Sequence, residues 1–139
     1  MKVVLDTNVI IASFAARGLC HAVFELCLDR FEIFVSPFVI KEVETNLAKK
    51  LKLPHKLIKE VTEFLSEEAE TIETGDIPRD VCKDPADARV LALVQKSEAA
   101  YLITGDKELL ALKKIGSSKI LSPRQFWETV KKLNDVGIN

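Results

Sequence analysis

Short apolar runs alternate with longer amphipathic runs along this chain, and this alternation limits its fold more than any other feature. The apolar runs at 2–5, 32–36, 101–104 and 119–121 have the length of strands. Between them, apolar residues recur at three- and four-residue intervals, the spacing of helices that pack one face on a core. Strands that alternate with helices predict a parallel sheet, reached through right-handed crossovers and covered on both faces.

The intervals between these strands carry helix-start signals. Ser36, Asp84 and Ser122 each precede a proline, which favours a capped helix start. The remaining elements are predicted as follows: a helix after the first strand, helices over 18–30 and 106–114, a helix from Pro54, and a weaker strand over 70–74.

Length and composition predict one compact domain over 1–139, with a frayed tail at 135–139. Hydrophobic residues make up 47% of the 139 residues and charged residues 29%, a balance that excludes general disorder. No apolar stretch approaches the roughly 20 residues that cross a bilayer, so we expect no membrane contact and a cytoplasmic location. Cys20, Cys27 and Cys82 show no CxxC spacing, and we interpret them as reduced packing residues.

The charge distribution leaves two interpretations open. The formal net charge is -1, which counts against a protein that holds nucleic acid by neutralising its backbone alone. One region is nevertheless rich in lysine: Lys41, Lys49, Lys50, Lys52, Lys56 and Lys59. These lysines form either a basic flank beside an acidic pocket or the solvated faces of two exposed helices.

Acidic residues occur where strands end and helices begin. Asp6 and Asp106 each end a strand, Asp84 and Asp87 start a helix, and Glu42 lies in the first two turns of the helix after the second strand. Ligands bind at the carboxyl ends of parallel strands, and the following helices begin at that same edge. Five carboxylates from four distant segments are therefore predicted to meet at one edge of the sheet.

A divalent cation resolves the repulsion among so many carboxylates. Oxygen ligands without His or Cys favour Mg²⁺ or Mn²⁺ over zinc. Such a cation activates water and neutralises charge on a scissile phosphate, so the pattern favours phosphodiester hydrolysis.

Each acid also has a structural explanation. Asp84 and Asp106 are suitable helix caps, Asp87 complements a helix dipole, and Glu42 could pair with a neighbouring lysine. Asp6 is the hardest to explain in this way, because it directly follows three apolar strand residues. Only the joint placement of the acids indicates a site.

Four short polar residues are expected at the same edge: Thr7, Asn8, Ser36 and Thr104. Their side chains could orient a carboxylate or a water, and Asn8 and Thr104 are the candidates for this supporting role. The structural alternative is that Asn8 and Ser36 start helices and that Thr104 is an ordinary strand residue.

Five segments of the chain together resemble the PIN-domain nucleases, in particular the stand-alone prokaryotic toxin components of toxin-antitoxin pairs. They are VVLDTNVII at 3–11, VSPFVIKEV at 35–43, DPADARVLAL at 84–93, YLITGDKELL at 101–110 and ILSPRQF at 120–126. The resemblance spans nearly the whole chain. One departure is that Ala86 and Ala88 stand where many relatives have a second acid beside the third-motif Asp.

This resemblance implies a Rossmann-like three-layer sandwich with a mostly parallel central sheet. It implies catalytic, metal-binding acids at Asp6, Glu42, Asp87 and Asp106, with Asp84 as an additional metal ligand, and Mg²⁺ or Mn²⁺ as cofactor. RNA is the implied substrate and an antitoxin protein the implied partner. A homodimer is also considered, through Phe38, Val39 and Leu47, although core packing explains these residues equally well.

Two other functions compete with the ribonuclease. A Mg²⁺-dependent phosphatase with a strand-end Asp nucleophile usually has a second acid two residues on, where this chain has Asn8. The other alternative is a catalytically weak PIN-like module that binds RNA or a protein. The presence of all four acids argues against it.

Overall fold

The structure is a computed structural model, and it describes residues 1–75 and 84–135. These residues form six strands and seven helices. The strands are β1 (Lys2–Leu5), β2 (Glu32–Val35), β3 (Glu70–Thr71), β4 (Tyr101–Ile103), β5 (Lys114–Ile115) and β6 (Ser118–Leu121). The helices are α1 (Thr7–Ala15), α2 (Leu19–Arg30), α3 (Pro37–Lys49), α4 (His55–Glu68), α5 (Pro85–Ser97), α6 (Lys107–Leu112) and α7 (Pro123–Asp135).

The sheet has the strand order β3-β2-β1-β4-β6-β5. All neighbouring strands are parallel except β5 and β6, which are antiparallel. The central strand β1 pairs with β2 and β4, placing Val3 opposite both Ile33 and Tyr101. The carboxyl ends of β1, β2 and β4 therefore lie side by side.

Helices cover both faces of this sheet. Successive strand residues point to opposite faces, and Val3, Val4 and Leu5 are all at most 1% exposed. Val39 and Leu47 of α3 are also buried in this core, so they do not form the dimer surface considered above. The predicted α/β class and the central parallel strands are confirmed.

The prediction was wrong at the end of α6. A helix was expected over 106–114, but α6 ends at Leu112, and Lys114 belongs to a short strand paired with β6. Gly116 provides the reversal, because its φ of +58° suits the first central position of a two-residue hairpin turn. The weak strand predicted over 70–74 is limited to Glu70–Thr71.

The described cysteines are packing residues, as expected. Cys27 is fully buried, and burial raises the pKa of its thiol to about 12. Cys20 is half-buried, and both are free thiols. Cys82 and residues 136–139 of the predicted frayed tail lie outside the described residues, whereas Asp135 is the last residue of α7.

Within residues 1–75 and 84–135, no single helix is long and apolar enough to cross a membrane. Only together do α1 and α2 have the length and composition of a membrane span, and the two helices are bent by 106° at the break between them.

Candidate active site

The five acids predicted from the sequence line one polar pocket at the carboxyl edge of the sheet. We call it the acid pocket. Its volume is about 200 Å³. The acids come from four segments: Asp6 follows β1, Glu42 lies on α3, Asp84 and Asp87 begin α5, and Asp106 precedes α6. The topology thus brings together residues that are up to 100 positions apart.

Thr104 connects two of the four segments. Its Oγ1 donates a hydrogen bond of 2.8 Å to Oδ2 of Asp6, and it accepts one of 3.0 Å from the backbone N–H of Asp106. Thr104 is fully buried and Asp6 is only 7% exposed. The threonine therefore holds the Asp6 carboxylate in a fixed orientation beside the backbone of Asp106.

Two acids of the pocket also cap helices. Oδ1 of Asp84 accepts a hydrogen bond from the backbone N–H of Ala86 at 2.9 Å. Oδ1 of Asp106 accepts from Glu108 and Leu109 at 2.8 and 3.3 Å. A carboxylate has two oxygens, so capping through Oδ1 does not prevent Oδ2 from facing the pocket.

Burial and mutual repulsion raise the pKa of two strongly buried acids. For Asp6, burial is the largest cause, the hydrogen bond from Thr104 opposes it, and the charges of Asp106 and Asp84 add to it. Burial also raises the pKa of Asp87 to about 6, helped by the charges of Asp106, Asp84 and Asp6 and by a hydrogen bond with Asp106. The pocket thus disfavours the ionised form of its own residues.

Glu42 has an additional set of neighbours. Burial raises its pKa first, followed by the charges of Asp6 and Asp84, whereas Lys50 and Arg89 act in the opposite direction. Lys50 itself lines the acid pocket. Glu42 is half-buried in this environment and is not simply a solvated partner of Lys41 or Lys49.

The donor chemistry of the pocket suits a hard divalent cation. All five acidic side chains offer carboxylate oxygens, and the buried Oγ1 of Thr7, which lines the same pocket, has no hydrogen-bond partner among the described residues. A bound cation would stabilise the ionised carboxylates that burial and repulsion disfavour.

The positions of these side chains, unlike their chemistry, do not define a metal site among the described residues. Among the described residues, no group of three or more His, Cys, Asp or Glu side chains is arranged so that it could hold a metal ion.

Of the other polar residues predicted at this edge, Asn8 lines the acid pocket and Ser36 does not. Asn8 is exposed and lines the acid pocket, and it also lies in the first turn of α1, whose N-cap is Asp6. Ser36 is the N-cap of α3, and its Oγ accepts a hydrogen bond from the backbone N–H of Val39 at 3.2 Å. Ser36 does not line the pocket.

Sequence reasoning missed the pocket residue Asn46 and named Lys50 only as one of six lysines of a possible basic flank. Asn46 and Lys50 line the pocket beside Glu42, at intervals of four residues. Side chains four apart lie on the same helix face, so this spacing could have identified them once Glu42 was chosen.

Comparisons with known proteins agree with this architecture. A family model described as "PIN domain" matches residues 2–108. A chain in the crystal structure of VapBC2 from Rickettsia felis bound to a DNA fragment from their promoter is similar at a TM-score of 0.64 and 17% identity. The similarity covers 88% of this chain and 98% of that one, and it confirms the predicted sandwich fold. No curated protein matches the sequence.

Proposed function

The chain belongs to the PIN-domain family, as its motifs predicted, and from this premise we propose that it is a Mg²⁺- or Mn²⁺-dependent ribonuclease that cleaves RNA internally. Members of the family are generally nucleases. The observation that carries the proposal is the convergence of five carboxylates from four segments in one pocket, where burial and mutual repulsion raise the pKa of Asp6, Glu42 and Asp87.

Asp6, Asp87 and Asp106 would hold one or two cations, with Glu42 and Asp84 as additional ligands. Bound there, the metal supplies charge neutralisation at the scissile phosphate and lowers the pKa of water. The chain's own residues prepare the site: Thr104 orients Asp6, and the backbone N–H groups at the start of α6 orient Asp106. Glu42 would support a second ion or position the attacking water. The expected products carry a 5′-phosphate and a 3′-hydroxyl.

We further propose that the protein acts in the cytoplasm as the toxin of a toxin-antitoxin pair, with an antitoxin protein as partner. The fold likeness to a chain of the VapBC2 complex supports this role. A homodimer would require a surface other than Val39 and Leu47, because both residues are in the core.

The test is cleavage of a 5′-labelled oligoribonucleotide with Mg²⁺, with Mn²⁺ and with EDTA. We expect metal-dependent cleavage that falls more than about 100-fold, or roughly 3 kcal/mol in the barrier, in Asp6→Asn and in Asp106→Asn. The matched control is Asp29→Asn, which removes the same charge from a side chain that is 78% exposed on α2. It should cleave as the wild type does.

Cleavage that survives EDTA, or that persists in both pocket variants, would contradict the proposal. RNA that is bound but left intact by the wild type would instead indicate a binding module.

A further inference from the structure

A line of four residues winds around α3 as it passes the acid pocket. The line consists of Phe38, Glu42, Asn46 and Lys50, each four positions from the next. Lys50 directly follows the helix with helical backbone angles, so the line continues to it. Twelve residues of helix span about 18 Å, a length that suits a few nucleotides of extended single strand. We call this line the α3 track.

Two basic residues, Lys50 and Arg89, lie at the two ends of the α3 track. Glu42, Asn46 and Lys50 line the acid pocket. At the Phe38 end, the side chain of Arg89 on α5 packs on α3, and its guanidinium carbon lies 4.5 Å from the centre of the Phe38 ring. A cation therefore lies toward each end of the track, with Glu42 and Asn46 between them along α3.

Lys50 and Arg89 form no ion pair with any carboxylate of residues 1–75 and 84–135. Among the described residues, no oxygen of Asp or Glu lies within 4.0 Å of the charged nitrogens of Lys50 or Arg89. Both side chains belong to exposed residues. Their charges still reach Glu42, because each lowers the pKa of that residue against the effect of burial.

The pocket needs such cations if its substrate is a polyanion. A phosphate that approaches five carboxylates is repelled, and a cation in the pocket can offset this only at the scissile group. Phosphates on either side of that group require positive charge from the protein. Lys50 provides a mobile point charge, whereas the guanidinium of Arg89, packed on an aromatic ring, is preorganised to donate to phosphate oxygens.

We propose that single-stranded RNA binds along the α3 track, with Lys50 and Arg89 contacting the phosphates on opposite sides of the scissile bond and Phe38 holding Arg89 in place. This inference rests on the proposed ribonuclease function. It assigns phosphate binding to two basic residues beside the five acids. Phe38 is a positioning residue, because it acts through Arg89.

The experiment measures binding of a fluorescein-labelled oligoribonucleotide to the full chain in EDTA at several salt concentrations, alongside steady-state cleavage with Mn²⁺. Lys50→Gln and Arg89→Gln are each expected to weaken binding about 3- to 10-fold and to reduce the salt slope by about one phosphate contact. Each should raise KM by a similar factor and leave kcat within about twofold.

The matched controls are Lys49→Gln and Arg17→Gln. Both change an exposed residue of the same type off the α3 track, and both should behave as the wild type does. Phe38→Leu keeps an apolar side chain but removes the aromatic ring. Its effect should disappear in the Arg89→Gln background, because a residue that acts only through Arg89 has nothing left to position.

The outcomes separate this inference from the ribonuclease proposal. If the wild type binds and cuts RNA but Lys50→Gln and Arg89→Gln match their controls, the α3 track is wrong and the ribonuclease proposal stands. If the wild type binds RNA through Lys50 and Arg89 without cutting it, the track stands and the ribonuclease proposal fails. A wild type that neither binds RNA in EDTA nor cuts it with Mn²⁺ overturns both.

Discussion

Two buried regions of this protein differ sharply in what burial does for them. In the aromatic cluster of Phe31, Tyr101 and Phe126, between α2, α7 and the sheet, ring centres lie 5.3 to 6.5 Å apart. In the acid pocket, Asp6 and Asp87 are each 7% exposed, about as buried as Tyr101 at 8%. Burial of the rings stabilises the fold. Burial of the carboxylates raises their pKa, and it lowers the stability of the fold when they are ionised.

The contrast shows that the aromatic cluster stabilises the fold, whereas the acid pocket does not. The acid pocket is held in an unfavourable electrostatic state by strands and helices that are stabilised elsewhere. Substitutions in the aromatic cluster should therefore lower stability, whereas neutral substitutions in the pocket should lower activity and raise the stability of the metal-free protein.

The largest effect on stability is expected for Phe126→Ala. Phe126 is fully buried and contacts both other rings, so its truncation should reduce the free energy of unfolding by about 3 to 5 kcal/mol. Urea unfolding followed by circular dichroism measures this change. Leu112→Ala is the control, since Leu112 is 40% exposed and should cost less than about 1 kcal/mol. Equal costs for the two variants would show that burial of the aromatic cluster does not stabilise the fold.

Divalent cations should stabilise the protein through the acid pocket alone. At a Mn²⁺ concentration roughly 100 times the Kd, ligand linkage predicts about 2 to 3 kcal/mol of added stability. Thermal unfolding with and without Mn²⁺ measures it. Asp106→Asn should lose most of the shift and Phe126→Ala should retain it. A shift that is the same in Asp106→Asn and in the wild type would place the cation elsewhere.

Asp87→Asn should stabilise the metal-free protein by about 1 to 2 kcal/mol near pH 7.5. The folded-state pKa of Asp87, about 6, lies above its ordinary value of 3.8. The folded protein therefore binds this proton more tightly, so the associated stability is present at low pH and is lost as the pH rises through about 6. The advantage of the variant should disappear toward pH 4. Unfolding in urea with EDTA across this range tests it, and an advantage that does not vary with pH would be inconsistent with the raised pKa.

The smallest effect is expected for Ser36→Ala, at the same edge of the sheet but outside the pocket. Loss of its hydrogen bond to the N–H of Val39 should cost about 1 kcal/mol of stability. Cleavage of RNA by the folded protein should remain within about twofold of the wild type. A much larger loss of activity at unchanged stability would extend the site to Ser36.

Much of the fold and the identity of the acids followed from local patterns. The runs at 2–5 and 101–104 correspond to β1 and β4, and proline after Ser36 or Asp84 marked the starts of α3 and α5 correctly. The hairpin of β5 and β6 was missed, because a two-residue strand carries too little periodicity to be distinguished from the end of α6. The roles of the individual acids remain predictions.

The sequence by itself determined which carboxylates would meet, because parallel strands expose their carboxyl ends at one edge and the acids are placed at those ends. Only the tertiary structure decided how they are held. Thr104 reaches Asp6 across 98 positions of chain, and Arg89 reaches Phe38 between two helices. Such contacts depend on how elements that are distant in sequence pack together, and local periodicity does not predict that packing.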